Sequence, residues 1–419
     1  MKKGWKRFGL GLVAASAVLA LTACGGGKDK KDEGKKDDTL EVSVAKGYVK
    51  YVNEIKGDFE KENGIKVKVI EKDMFEQLDA LSLDGPAGKA PDVMMSAFDR
   101  LGPLGLQGHL AEVKLSEDSH YNDTDKKQVT VQDKQYGSPA VIETLIMYYN
   151  KDLLKEAPKT FKELEELSKD EKYAFKGEEG KNTAFLAKWT DFYFAYGLIS
   201  GYGGYTFGKD GTDPKDVGLN NKGAVEGIQY ATDWFQKTWP KGMMDVKAAG
   251  DFVTTQFTEG HAAAIIDGPW AAANYKDAGL NFGAAKIPTL NNGKEYEAFG
   301  GGKAWVVSNY SKNKEMSQKW LDYVTNDKNQ EAFYKATQEV PANNNAREAA
   351  TKENNELTTA VIEQYKNSKP MPNIPEMAEI FAGGENLMFD AASGKKTPQE
   401  AADAAVKVIK ENIDQKYGE

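Results

Sequence analysis

The chain has 419 residues, 55 Lys and Arg against 64 Asp and Glu, a formal net charge of -9, and one cysteine, Cys24. A lone cysteine forms no internal disulfide, and an acidic chain without basic runs interleaved with aromatics argues against nucleic acid as a partner. About 380 residues follow the N-terminal region, more than one core usually supports, so two domains are expected.

The N-terminus is basic, with Lys2, Lys3, Lys6 and Arg7, and Phe8 to Leu21 is uncharged and largely apolar. That run has the length of a signal-peptide core and is short for a membrane span. It ends in Leu21-Thr22-Ala23-Cys24, a layout that resembles a bacterial lipoprotein signal, in which the cysteine becomes the acylated first residue. Two or more acyl chains hold a protein stably where one does not. Removing residues 1–23 takes away four cations and no acid, so the charge moves from -9 to -13. Lys28 to Asp38 carries five lysines, five acids and one glycine. It cannot bury a core, and residues 24–38 are expected to form a disordered tether.

Beyond the tether, Leu40 to Val44 alternates as a strand does, and Val49, Val52, Ile55 and Phe59 recur at helical spacing until Gly64. Ile65, Val67 and Val69 alternate again, Phe75 to Leu83 reads as a helix, and Asp92 to Ala97 as a strand. This order predicts a parallel sheet with helices on its faces. Val129-Thr130-Val131, the turn QDKQYG and a strand through Leu145 to Tyr149 read as antiparallel. Thr160 and Glu163 have capping-box spacing and open a helix. A second α/β pattern follows: strand Thr183 to Ala187, helices near Ala224 to Gln236 and Phe252 to Thr258, strand Ala262 to Ile266, and a helix from Trp270. Another strand and helices come after Gly300-Gly301-Gly302, and the tail from about residue 346 is helical with a proline break at MPNIP. No clean linker separates the halves, which suggests that the chain crosses between lobes more than once.

The chemistry-bearing motifs are few. His109, His120 and His261 stand alone without metal-site spacing, and GxSxG is absent. GGYTFGKD, Gly203 to Asp210, nearly matches a phosphate loop but ends in Asp where magnesium needs a hydroxyl. The run KWTDFYFAYGLISGYGGYTF, Lys188 to Phe207, is rich in aromatics and suits a sugar, with flat rings covering CH faces and polar groups meeting hydroxyls. Burial between helices is the alternative for each of these rings. In AAAIIDGPWAAAN a strand ends at Asp267-Gly268, and Trp270 sits where the helix begins, at the carboxyl end of a strand where ligands collect. Asp99-Arg100 ends strand 92–97 in the same way. It reads as a hydroxyl-binding pair or as a surface ion pair worth little.

KGY after the first strand, APDVMMSAFDRLG, YGSPAVIETLIMYYNKDLL, YGLISGYGGYTF, IDGPW and MPNIP occur in order from about residue 40 to the C-terminus. Together they resemble the maltose/maltodextrin-binding protein family of carbohydrate importers, in its Gram-positive lipoprotein form. The resemblance implies an α/β, periplasmic-binding-protein-like fold, with two α/β lobes joined by a multi-segment hinge and the ligand cleft between them. It implies an N-lobe of 39–142 and 300–350 and a C-lobe of 143–299 and 351–419. Carried over by position, Lys46, Asp99, Arg100 and Glu143 bind hydroxyls, Asp191 and Tyr193 supply an acid and an aromatic, and Trp270 stacks. Glu76 is a further acid, carried over across a stretch of differing length. Ser96 and Phe381 stand where the maltose-binding protein has tryptophan, and Ala45 replaces the acid before the lysine. Trp189 or Trp305 could supply a replacement face or belong to the core.

The function so implied is a lipid-anchored extracellular protein that captures maltooligosaccharides by hinge closure. It hands them to the permease subunits of an ATP-driven importer, whose ATPase is a separate chain. A monomer is expected, with no cofactor, no metal and no nucleic acid. The alternatives are the same fold serving another solute, or a secreted glycoside hydrolase using two of Asp99, Glu143 and Asp191. Against the hydrolase, Arg100 beside Asp99 would hold that acid ionised, the wrong direction for a general acid.

Overall fold

A computed structural model describes residues 39–418. The signal peptide, Cys24 and the 24–38 tether lie outside them. The chain begins as the periodicity predicts, with β1 (Thr39–Val44), α1 (Lys46–Asn63), β2 (Lys66–Glu71), α2 (Met74–Asp84), β3 (Val93–Ala97) and α3 (Phe98–Leu106). Tyr48, Tyr51, Val52, Ile55 and Phe59 form the buried face of α1. Gly64 ends that helix at φ 64°, a conformation glycine adopts without steric penalty, and its amide bonds back to Glu60. Asp73 caps α2 by accepting from the amides of Phe75 and Glu76. β1 pairs in parallel with β2 and β3, with Val42 opposite both Val69 and Val93.

The expectation for residues 129–150 needs correction. α4 (Asp123–Gln128) leads into β4 (Thr130–Val131) and β5 (Lys134–Gln135), which pair only with each other. Next come β6 (Ser138–Glu143) and β7 (Ile146–Asn150), which belong to different sheets. Alternation marks a strand but does not name its partner, and nothing in the local pattern marks Thr144 and Leu145 as a crossing between sheets.

The second half adds α5 (Phe161–Leu167), β8 (Phe185–Ala187), α6 (Phe192–Gly201), β9 (Ala264–Asp267), β10 (Phe282–Ala285), β11 (Phe299–Val307) and β12 (Lys369–Pro370). One sheet has the order β12-β11-β3-β1-β2, with β6 also on β11, and the other runs β10-β7-β9-β8. β11 is antiparallel to both β3 and β6. The protein is therefore a two-lobed α/β molecule with one open sheet per lobe. The first sheet's core includes Leu40, Val42, Phe59, Trp305 and Trp320. The second sheet's includes Ile146, Phe185, Trp189, Trp239 and Ile265.

The chain leaves the first sheet between β6 and β7 and returns between β10 and β11. These two crossings are tied together where the Thr144 hydroxyl donates to the carbonyl of Phe299 at 2.9 Å. The MPNIP break falls between helices Glu356–Tyr365 and Met377–Ala392, where β12 joins the start of β11.

Candidate functional site

Four segment ends converge where the lobes meet. Asp99 lies in the first turn of α3, directly after β3, and is half-buried. Burial raises its carboxyl above the usual range, overriding Arg100 and the helix-end amides of Asp99 and Arg100. Arg100 does favour the ionised form of this acid, as expected, but burial outweighs it and the net shift is upward. The Arg100 guanidinium instead reaches Asp79 of α2 at 3.4 Å and lies 5.6 Å from the centre of the Phe75 ring. Both partners of that ion pair are substantially exposed, so it contributes little to stability.

Glu143 ends β6 and is buried, with Oε1 2.6 Å from Lys303 Nζ on β11. Burial raises its carboxyl, Lys303 opposes that rise, and Glu339 adds to it. Lys303 also donates to the Tyr48 hydroxyl at 2.9 Å and to Glu339 at 3.0 Å, while Tyr48 donates to Glu339 at 2.8 Å. Burial pulls the Lys303 ammonium down, yet Glu143, Glu339 and Tyr48 together hold it well above the ordinary lysine range.

From the second lobe, Asp191 caps α6: its Oδ1 accepts from the Tyr193 amide at 2.9 Å, and Oδ2 meets Lys188 at 3.2 Å. The cap sets the start of α6 and so the position of Tyr193. The Tyr193 hydroxyl is pushed up by burial and by the charges of Glu143, Asp99 and Asp191, with Lys303 opposing. A side chain of the second lobe thus sits in the field of two carboxylates of the first. The Tyr193 ring is 6.2 Å from Trp270, at 51°, and 5.9 Å from Phe299.

Trp270 is 44% exposed, unlike the other large rings around it. It follows β9 in a short turn begun by Pro269. Gly268 makes its pose possible, since a Cβ there would come within 2.2 Å of the indole. Asp267 fixes the same turn by accepting from the Gly268 amide at 2.7 Å and the Tyr275 hydroxyl at 2.6 Å. Phe381, on helix Met377–Ala392, is half-buried and packs at 6.2 Å on Phe192 and 6.3 Å on Phe299.

The structure therefore brings Asp99, Glu143, Tyr193 and Trp270 together, with Asp191 behind Tyr193 and Phe381 at the edge through Phe299. Lys46 is exposed at the first position of α1, and Glu76 is exposed in the first turn of α2. Neither has an ion-pair partner among the described residues. Trp189 and Trp305 are both 0% exposed and belong to the cores. In the aromatic run, Trp189, Phe192, Tyr196 and Phe207 are buried, while Tyr193, Phe194 and Tyr202 are half-buried.

Sequence reasoning missed Tyr48, Lys303, Glu339 and Phe299. Lys303 carried a usable signal: a lysine inside a strand that is otherwise apolar or glycine must find a partner.

One large cavity, about 1140 Å³, contains none of the nine residues expected to bind ligand. It runs between the 127–133 hairpin region, residues 203–212 and the segment 368–374. Tyr196 lines it and stacks on Phe299 at 3.8 Å and 6°. That stack borders both the cavity and the Tyr193 cluster. The cluster's carboxylates and exposed indole are groups that can meet hydroxyls and apolar CH faces.

Two open-sheet lobes, chain crossings tied by Thr144, and polar and aromatic groups facing each other across the junction define a two-lobed solute-binding protein. The chain matches the profile described as bacterial extracellular solute-binding protein over residues 54–360, and it belongs to that family. It is 59% identical over 411 residues to the maltodextrin-binding protein MdxE of Bacillus subtilis, covering 98% of each chain. It is 70% identical to the maltose-binding periplasmic protein MalE of Listeria monocytogenes, whose crystal structure contains maltose. That likeness has a TM-score of 0.87 over 91% of this chain and 99% of the other. MalX of Streptococcus pneumoniae, solved with maltopentaose, is 54% identical with a TM-score of 0.86, over 89% of this chain and all of its own. These relatives are solute-binding proteins and not enzymes, and the hydrolase alternative falls with them.

Proposed function

We propose that this protein captures maltose and longer maltodextrins and delivers them to the permease of an ATP-driven importer whose ATPase is a separate chain. The observation that carries the reading is the placement of Tyr193 between Trp270 on its own lobe and the carboxylates Asp99 and Glu143 on the other. A glucosyl ring has apolar CH faces and a rim of hydroxyls. Trp270 and Tyr193 offer flat faces to the first, and Asp99 and Glu143 accept from the second with charge-assisted bonds. Lys46, Arg100, Asp191, Glu76 and Phe381 complete the site in this reading.

All of these contacts form together only when the lobes are closed. Ligand shifts the lobes toward closure by its differential affinity for that form. The chain crosses between lobes at Thr144 and again before Phe299, so the lobes are taken as 39–143 with 299–350 and 144–298 with 351–419, one residue from the expected boundaries because Glu143 ends β6 and Phe299 opens β11. The maltose and maltopentaose bound by the similar proteins support the sugar class. The lower stacking area left by Ser96 and Phe381 bears on chain length and linkage.

The protein acts as a monomer at the outer face of the membrane, anchored by acylation at Cys24. Its acidic body stands off the lipid on the 24–38 tether. Calorimetry of the protein without residues 1–23 against glucose, maltose, maltotriose, cyclodextrin, lactose and raffinose tests the ligand. Binding confined to α-glucans is expected, and preference for lactose or raffinose would reassign the site. Replacing Cys24 by Ala should move the protein from the membrane fraction to the medium.

A further inference from the structure

Lys303 stands two residues along β11 from Gly301, which lies opposite Glu143 on β6. Same-face residues at that diagonal reach each other, and Gly301 places no side chain between them. The β6–β11 register shifts between Lys303 and Ala304. Such irregularities re-aim side chains. The ammonium's three donors are all used, on Glu143, Tyr48 and Glu339. On Glu143 only Oε1 is engaged, and Oε2 has no hydrogen-bond partner among the described residues.

We propose that Lys303 is a positioning residue of the binding site: it grips one oxygen of Glu143, is itself locked by Tyr48 and Glu339, and so presents the other oxygen as a charged acceptor to a ligand hydroxyl. This rests on the maltodextrin reading above. Lys303 keeps only 15% and Glu143 only 11% of side-chain exposure, so little water is present to replace the lysine. Without it, Glu143 and Glu339 would be two carboxylates in one desolvated space, and one of them would take a proton. The charged or titratable groups facing Glu143 are Lys303 on β11, Glu339 after helix Asp327–Thr337, Tyr48 on α1 and Tyr193 on α6, with Asp99 of α3 beyond Tyr193.

The test is calorimetric titration with maltotriose from pH 5 to pH 9. Wild type is expected to vary by less than about threefold between pH 6 and pH 9. Lys303→Met should weaken binding roughly 100-fold at pH 6 and recover to within about tenfold at pH 9, as Glu143 regains its charge. Lys303→Arg should restore most of the affinity at pH 6. A loss in Lys303→Met that is equal at every pH would mean packing alone and would overturn the proposal. Should Lys303→Met not fold, Glu339→Gln decides: removing the repelling carboxylate should move the acid limb of binding to lower pH, and an unmoved limb rejects the idea. Carboxyl-labelled glutamate NMR of the unliganded protein reads Glu143 directly. It should titrate at lower pH in Glu339→Gln than in wild type. If wild type binds no maltotriose, the maltodextrin reading falls, while the same NMR on Lys303→Met still judges the role of Lys303: Glu143 should titrate at higher pH than in wild type, and an unchanged titration would reject the proposal.

Discussion

Tyr196 and Phe299 stack face to face, with ring centres 3.8 Å apart and planes 6° from parallel. Tyr196 belongs to α6 of the second lobe, and Phe299 opens β11, the strand on which the chain returns to the first sheet. The same Phe299 touches Tyr193 and Phe381 and accepts from Thr144 through its carbonyl. It is fully buried. Phe299→Ala should therefore destabilise by about 3–5 kcal/mol and also weaken maltotriose binding, because the seats of Tyr193 and Phe381 loosen. Thermal melting with and without sugar reads both effects. A stability loss with unchanged affinity would detach this stack from the site.

Trp270 and Trp189 should behave as opposites. Trp270→Ala removes a half-exposed ring, so the melting temperature should barely move while maltotriose affinity falls roughly 10- to 100-fold. Trp189→Ala opens a hole among Phe161, Phe185 and Trp239 and removes the indole N–H that donates to the Tyr296 hydroxyl at 3.1 Å, leaving that hydroxyl only its bond to the Phe194 carbonyl. A loss of about 3–5 kcal/mol is expected there, with affinity unchanged in the fraction that folds. Calorimetry and melting on the two variants would expose an exchange of roles.

Gly268→Ala tests how the tryptophan is held. The added methyl would meet the indole within 2.2 Å. The ring must swing away, and the melting temperature should change less than the affinity, which falls toward that of Trp270→Ala. The change in intrinsic fluorescence on adding maltotriose should shrink in parallel. An undiminished signal would mean that the indole does not report on the ligand.

The pH dependence of the unliganded protein follows from Asp99. Burial raises its carboxyl in the folded state, whereas the unfolded chain keeps the ordinary value near ~3.9. Between these two values the folded state binds more protons, so stability falls as pH rises through that window and then levels. Asp99→Asn removes the slope. Relative to wild type, the variant should gain stability on going from about pH 4 to pH 7, and it should bind maltotriose more weakly. Melting curves across that range check the sign. A wild-type advantage that grows with pH would mean that Asp99 is stabilised as a carboxylate.

The opening of the fold was readable because its signals are local. The apolar spacing of Val52, Ile55 and Phe59, the stop at Gly64 and the alternation around Val42 each act within a turn or two of the chain. The passage from β6 to β7 was not readable, since strand pairing is decided by partners more than a hundred residues away and Thr144 looks like any loop residue. The site divided in the same way. Trp270 was visible because Pro269 starts its turn at the end of an apolar strand. The ion pair of Arg100 was not foreseen because its partner, Asp79, lies on another helix, while Asp99, its sequence neighbour, feels its charge without pairing with it. In the aromatic run, composition left surface and core both open, and Trp189 and Phe192 went to the core while Tyr193 is half-buried beside Trp270. Residue type alone does not separate those outcomes.

The central claim is that a sugar is held between Asp99 and Glu143 on one lobe and Tyr193 and Trp270 on the other. The most direct measurement is a crystal structure of the protein with maltotriose. The account predicts a glucosyl ring lying against the Trp270 indole, with hydroxyls within hydrogen-bond distance of Asp99 or Glu143. Maltotriose found instead in the large cavity beside Tyr205 and Lys209, with Trp270 untouched, would contradict it.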